Sequence, residues 1–247
     1  MLSWFKKKKK KEIHPVDFAE IGLDMHSHLI PSIDDGAKDL QNSIELINAL
    51  QNHGFKKIIT TPHIMTDFYN NNIETIISGL KTVKEELLKQ SIDIKIEAAA
   101  EYFVDYDFQQ KVLGGEKFLT LGDNYILIEF SFLTAPHNYL ETIFQLQLKG
   151  YKVILAHAER YPYLTESDLE DFINRGVYLQ LNILSSIGYY SNNVRERANW
   201  LIDNNMISFI GTDCHNLNQT KLYDKCKIEP MLSVLLNSGK LLNDQLM

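Results

Sequence analysis

Near its start the chain reads Asp24-Met25-His26-Ser27-His28, so an apolar stretch ends in two histidines one residue apart. On a β-strand, residues i and i+2 point to the same face, and both imidazoles would face one centre, as a metal ion requires. Comparable residues end five further apolar runs: Thr61-Pro62-His63, Ala100-Glu101, Glu129, His157-Ala158-Glu159-Arg160 and Asp213-Cys214-His215. Taken singly, such a histidine is commonly a satisfied core or surface residue, and such a glutamate a helix-start charge. Recurrence at six strand ends makes coincidence a poor account of the set. Imidazoles mixed with carboxylates suit Mn, Fe or Zn, and not Ca or a thiolate-bound metal. His14, His53 and His137 fall outside the pattern: one lies in the polar N-terminal region, one precedes a helix-ending glycine and one opens a helix.

Something must carry those residues to one place. Seven short apolar runs have strand character, at residues 21–25, 56–60, 94–98, 125–130, 152–156, 177–182 and 207–211. Longer amphipathic stretches lie between them, among them 39–54, 73–90 and 135–150, and several end at glycine (Gly54, Gly150, Gly176). Glycine is the common residue just past a helix end, because it accepts the left-handed conformation there. Apolar strands alternating with helices predict a parallel sheet covered by helices. Seven units in this length suit a closed (β/α) barrel of a single domain, whose active site is built at the C-terminal ends of the strands. Only the sixth run, ending at Asn182, delivers no strong ligand there.

Composition narrows the reading. The 247 residues carry a formal net charge of −7, and 45% are hydrophobic, ordinary for a soluble globular chain. Six consecutive lysines, Lys6 to Lys11, mask a more acidic body: without them 19 basic residues face 32 acidic ones, a net −13. Such a body repels the phosphate backbone of nucleic acid, which excludes a general nucleic-acid binder. No run of about 18 apolar residues exists to span a bilayer. The N-terminal MLSWFKKKKKK is no secretory signal, because its apolar part precedes the lysines. Residues 1–14 are expected to form a flexible, lysine-rich tail. Leu2, Trp4 and Phe5 beside those lysines also allow weak peripheral contact with anionic lipid. The expected location is cytoplasmic, with or without that membrane association.

His26-Ser27-His28-Leu29-Ile30-Pro31-Ser32-Ile33-Asp34-Asp35-Gly36 resembles the signature of the bacterial PHP-type protein-tyrosine phosphatases, the CpsB/CapC family of capsule and exopolysaccharide clusters. The resemblance continues through Thr60-Thr61-Pro62-His63, Glu101, Glu129-Phe130, His157-Ala158-Glu159-Arg160-Tyr161 and Gly211-Thr212-Asp213-Cys214-His215-Asn216. It implies a distorted (β/α)7 barrel of the PHP type over residues 15–247, holding three divalent metal ions. One ion would take His26, His28, Glu101 and Asp213; a second Glu101, Glu129 and His157; a third Asp35, His63 and His215. Manganese is the ion the resemblance implies, with iron and zinc as alternatives. It also implies a phosphotyrosine protein as substrate, on a bacterial membrane tyrosine kinase that controls polysaccharide export.

The chemistry fits that implication. A phosphomonoester dianion needs charge neutralisation and an in-line nucleophile, and paired metals can lower the pKa of a water to supply one. Arg160 would grip a nonbridging oxygen. Asp35 and His63 are candidates for helping the leaving phenolate. Tyr102, with the aromatics that follow it, could wall a phenyl pocket. After Asp213-Cys214-His215-Asn216 the family commonly carries an arginine on the phosphate; here the nearest cation is Lys221. A cysteine-nucleophile phosphatase needs an arginine six residues after its cysteine, whereas Cys214 and Cys226 have Thr220 and Leu232 there. That mechanism is excluded. The alternatives are a small-molecule phosphatase of the histidinol-phosphate type and a non-catalytic, metal-stabilised binding module.

Overall fold

A computed structural model describes residues 15–247. The lysine run and the lipid contact expected of it lie outside the described residues. Among the described residues there are nine strands: β1 (Leu23–Asp24), β2 (Lys57–Thr60), β3 (His63–Ile64), β4 (Lys95–Ala98), β5 (Glu101–Phe103), β6 (Tyr125–Glu129), β7 (Lys152–Leu155), β8 (Tyr178–Asn182) and β9 (Ile207–Gly211). The helices used below are α1 (Phe18–Ile21), α2 (Leu40–Asn52), α3 (Ile73–Lys89), α4 (Tyr106–Gly114), α5 (Tyr139–Leu148), α6 (Glu166–Asn174), α7 (Asn192–Asp203) and α8 (Leu217–Thr220).

All ladder pairings are parallel, in the orders β1-β2-β4 and β3-β5-β6-β7-β8-β9. Each of the seven expected runs contains a strand, though Ile21 of the first belongs to α1, and the second and third are each continued, after a break, by a further short strand (β3 and β5). Pro62 causes the first break, since a proline has no N–H to give a ladder. The halves stay in line, because Ala99 N–H donates to the Thr60 carbonyl and Glu101 N–H to the Pro62 carbonyl. The two sheets therefore form one curved wall. It closes on itself where Ser27 bridges Cys214, with Asp213 N–H donating to the His26 carbonyl at 2.7 Å.

Strand alternation sorts the core into two layers. Leu23, Met25, Ile59, Tyr125, Leu127, Ile154 and Phe209 fill the barrel interior, while Ile126, Ile128, Val153, Leu155, Leu179 and Leu181 pack outward against the helices. Helix starts are well specified: Asp39, Asn72, Asp105, Thr165 and Ser191 each accept a backbone N–H as N-caps of α2, α3, α4, α6 and α7. α5 starts without such a cap, at Asn138. Gly211 marks a close approach, for a side chain there would meet the His26 Cβ at 2.7 Å.

Away from the Ser27–Cys214 bridge, the seam between β1 and β9 is spanned by Asn243. Its amide donates to the Ile210 carbonyl at 2.8 Å and the Leu23 carbonyl at 3.4 Å, and accepts from Ile210 N–H at 3.1 Å. Leu246 of the same segment enters the barrel interior. Asn243→Ala strands these buried backbone groups, at a cost of about 1–3 kcal/mol. A lowered urea midpoint with unchanged slope would show it, and an unchanged midpoint would mean that the seam closes without Asn243.

Candidate metal centre

The strand ends deliver their side chains to one mouth of the barrel. His26 and His28 follow β1 and share a face, as alternation requires. His63 on β3 lies in register with Glu101 on β5, and Phe103 with Glu129 at the end of β6. His157 follows β7 and Asp213 follows β9, both in the left-handed region at φ 34° and 50°. Non-glycine residues held at positive φ cluster at functional sites, where the surroundings enforce the conformation.

Glu101 sits at the centre and is fully buried. Its Oε2 lies 3.2 Å from His26 Nε2, 3.4 Å from His28 Nε2 and 3.2 Å from His63 Nδ1, and its Oε1 lies 2.9 Å from His157 Nε2. Asp213 Oδ1 is 3.5 Å from both His26 and His28. Glu129 reaches His63 at 2.8 Å and His157 at 3.8 Å. Asp35 reaches His63 at 3.5 Å and His215 at 3.4 Å. All nine predicted ligand positions are thus brought together. Their nearest groupings overlap more than three separate sets would, because His63 also adjoins Glu101 and Glu129, and His28 joins Asp35, His63 and His215.

The donor set fits a cation. His26 Nε2, His28 Nε2, His63 Nδ1 and Glu101 Oε2 are buried with no hydrogen-bond partner, and all four converge. Each such orphan costs about 1–3 kcal/mol, a cost that a bound cation at their meeting point removes. Burial opposes charge on these groups, but the opposite charges prevail. Asp34 and Glu101 hold His28 well above the usual imidazole range; Glu129 and Glu101 push His63 up to about 9. His26 and His63 in turn hold Glu101 well below the carboxylate range despite its burial. Asp35, under His215 and His63, falls to about 2.

Other side chains fix the imidazoles. Gln180 Oε1 accepts from His26 Nδ1 at 3.0 Å and from His157 N–H at 2.8 Å. Asp34 Oδ2 accepts from His28 Nδ1 at 2.8 Å and from His63 N–H at 3.1 Å. The carbonyl of Asp213 takes His215 Nδ1 at 2.9 Å. With Nδ1 committed, Nε2 of these rings is left free for a metal. Asn182 donates to Asp213 Oδ2 at 2.6 Å and accepts from Gln180. Sequence reasoning assigned no role to Asp34, Gln180 or Asn182. β8, the sixth of the expected runs, supplies no ligand; its inward residues Gln180 and Asn182 instead orient those of its neighbours.

Arg160 donates through Nη1 to Asp213 Oδ2 at 3.2 Å and lines a cavity of about 340 Å³ with Asp35, His63, Glu129, His157 and His215. Two expectations need correction. Tyr102 is not at the site: Glu101 faces the interior, so its strand neighbour faces out. There the Tyr102 ring packs on Phe108 and Phe118, and its hydroxyl accepts from Leu119 N–H. Lys221 is exposed and donates to Asn218 Oδ1 at 3.2 Å, outside the cavity lining. Cys214 is fully buried, and burial pushes its thiol up to about 12, which suits a filler and not a nucleophile.

Fold and cluster together define a parallel (β/α) barrel that gathers imidazoles and carboxylates at the carboxyl ends of its strands. The family model for capsular polysaccharide synthesis, CpsB/CapC, matches residues 22–227. The tyrosine-protein phosphatase YwqE of Bacillus subtilis is 31% identical over 198 residues, 79% of this chain and 78% of that protein. A putative tyrosine-protein phosphatase, CapC of Staphylococcus aureus, is 28% identical over 221 residues, 89% of this chain and 84% of that one. A solved structure, from a study of B. subtilis YwqE and Streptococcus pneumoniae CpsB as metal-dependent tyrosine phosphatases, superposes with a TM-score of 0.77 at 29% identity, covering 87% and 86% of the two chains. The chain belongs to the CpsB/CapC family. Among the described residues, no helix is long and apolar enough to cross a membrane.

Proposed function

We propose that this protein is a metal-dependent protein-tyrosine phosphatase whose nine clustered ligands hold three divalent ions, manganese by preference. The observation that carries this reading is the convergence of orphaned buried donors on Glu101 beside a cavity lined by Arg160. A non-catalytic metal site is disfavoured, since a structural site closes its coordination and needs no guanidinium at an open mouth. Bound divalent ions would supply positive charge for the phosphoryl oxygens and make hydroxide available at neutral pH.

The chain's own residues do the rest. Arg160, held against Asp213, presents its remaining N–H groups to a nonbridging oxygen. Asp35 and His63 stand at the exposed side of the cluster, where they can orient a water that gives its proton to the departing phenolate; Asp35 is the more exposed of the two. A phenolate leaving group, with a pKa near about 10, needs only modest help. The proposed substrate is a tyrosine-phosphorylated protein of the capsule or exopolysaccharide system, a membrane tyrosine kinase above all.

The test is a manganese-reconstituted assay of a phosphotyrosine peptide, its phosphoserine counterpart and histidinol phosphate. Turnover is expected on phosphotyrosine, abolished by chelator and untouched by thiol alkylation. Preference for histidinol phosphate would replace this reading with a small-molecule phosphatase, and activity surviving chelation would remove the metal from it.

A further inference from the structure

Arg160 packs on two rings. Its guanidinium carbon lies 4.2 Å from the centre of the Phe132 ring and 4.1 Å from that of Tyr190. A guanidinium donates within its own plane, and one of these donors is already committed to Asp213. The two rings differ in their surroundings. Tyr190 is anchored, its hydroxyl accepting from Asn182 Nδ2 at 3.0 Å and lying 3.4 Å from Asp213 Oδ2. Phe132 stacks on Tyr161 at 5.8 Å and 22° and stands 5.5 Å from His157, yet 39% of its surface stays exposed. Tyr189 meets Tyr190 edge-on at 5.1 Å and 84° and is 44% exposed. Phe132 and Tyr189 both line the cavity that holds His63, Glu129, His157 and Asp213.

Two aromatic walls with free surface therefore border a strongly polar cavity. Aromatic rings gain by stacking or edge contact with a further ring, and exposed apolar surface beside a polar site is where ligands are recognised. We infer that Phe132 and Tyr189 are specificity-determining residues that receive the phenyl ring of the substrate and select aryl over alkyl phosphate monoesters. The inference rests on the tyrosine-phosphatase reading and names how that site tells its substrates apart. In an aryl phosphate a single ester oxygen separates phosphorus from the ring. A phosphoryl group held by Arg160 and the ligand cluster thus leaves its ring within the cavity that the two walls line. Phosphoserine would put a methylene and then polar main chain in the same place, with no π face for the rings to meet. Tyr190 serves differently, holding Arg160 flat so that its edge faces the phosphate.

The test uses the manganese-loaded full-length chain and the variants Phe132→Leu, Tyr189→Leu and their double, which keep apolar bulk but remove the rings. Folding is checked by thermal unfolding. The readout is the ratio of kcat/KM on phenyl phosphate to that on ethyl phosphate, which each variant reports against the parent so that leaving-group differences cancel. The ratio is expected to fall by roughly three- to tenfold per ring, mainly through KM on the aryl substrate. Binding of phenylphosphonate against methylphosphonate, measured by calorimetry, reads the same preference without turnover. An equal loss on aryl and alkyl compounds, or an unchanged ratio, overturns the inference, for the rings would then act only on Arg160 or not at all. A ring-dependent phenyl preference in binding without any phosphotyrosine turnover would leave these walls standing and remove the phosphatase reading instead.

Discussion

Glu101→Gln is expected to reduce phosphotyrosine turnover by on the order of a thousandfold or more, since several kcal/mol of charge stabilisation depend on the site it organises. Among the described residues no other carboxylate stands so near so many imidazoles: His26, His28, His63 and His157 all lie within 3.4 Å of one or other of its oxygens. Glutamine keeps the shape and removes the charge, so the loss is electrostatic and not a packing defect. Its amide can still accept from one imidazole, but it cannot balance several positive charges in a buried site. Bound metal per chain, measured after dialysis, should fall together with activity, while the thermal transition stays cooperative. Glu129→Gln makes the comparison, because Glu129 adjoins two histidines, His63 and His157, among the described residues. The damage there should be smaller. Near-parental turnover of Glu101→Gln in excess manganese would reject Glu101 as the shared ligand.

Glu101 was legible in the residues as a carboxylate at a strand end, and its shared place among the ligands was what the family resemblance implied; the structure adds the reason. His26 and His28 share a face by the period of two, and the ladder aligns His63 with Glu101. The same rule turns Tyr102 away from the site: a residue next to an inward Glu101 cannot also face inward, and aromatic composition alone pulled the reading the wrong way. Gln180 and Asn182 were harder to recognise. Amides are not strong ligands, and their importance lies in contacts with His26, the main chain of His157 and Asp213, made only after the barrel closes. Asn243 carried no signal, since bridging a seam between the first and last strands is visible only in three dimensions. Phe132 and Tyr190 reach Arg160 from loops far apart in the chain, and no local spacing joins them. Residues that act directly were therefore more legible than those that act through others.

Arg160→Ala should cost about 2–4 kcal/mol of transition-state stabilisation, the range for losing one preorganised donor in a site shielded from water. The side chain is only 21% exposed, packed on two rings and oriented by Asp213, so little freedom remains to be lost when phosphate arrives. Lys221→Ala should cost under about 1 kcal/mol, as for other exposed charges. The short helix α8 explains the contrast. Its Gln219 is buried, lines the cavity and accepts from the N–H groups of His215 and Asn216, whereas Lys221 follows the helix and points to solvent. An ammonium there could reach phosphate only by leaving Asn218 and crossing the rim, and it would bring a point charge without the paired bonds of a guanidinium. The measurement is kcat/KM of both variants on one phosphotyrosine peptide at fixed manganese. Should Lys221→Ala prove the more damaging, the lysine has taken over the family's second phosphate contact, and the loop after β9 must close over the substrate to bring it there.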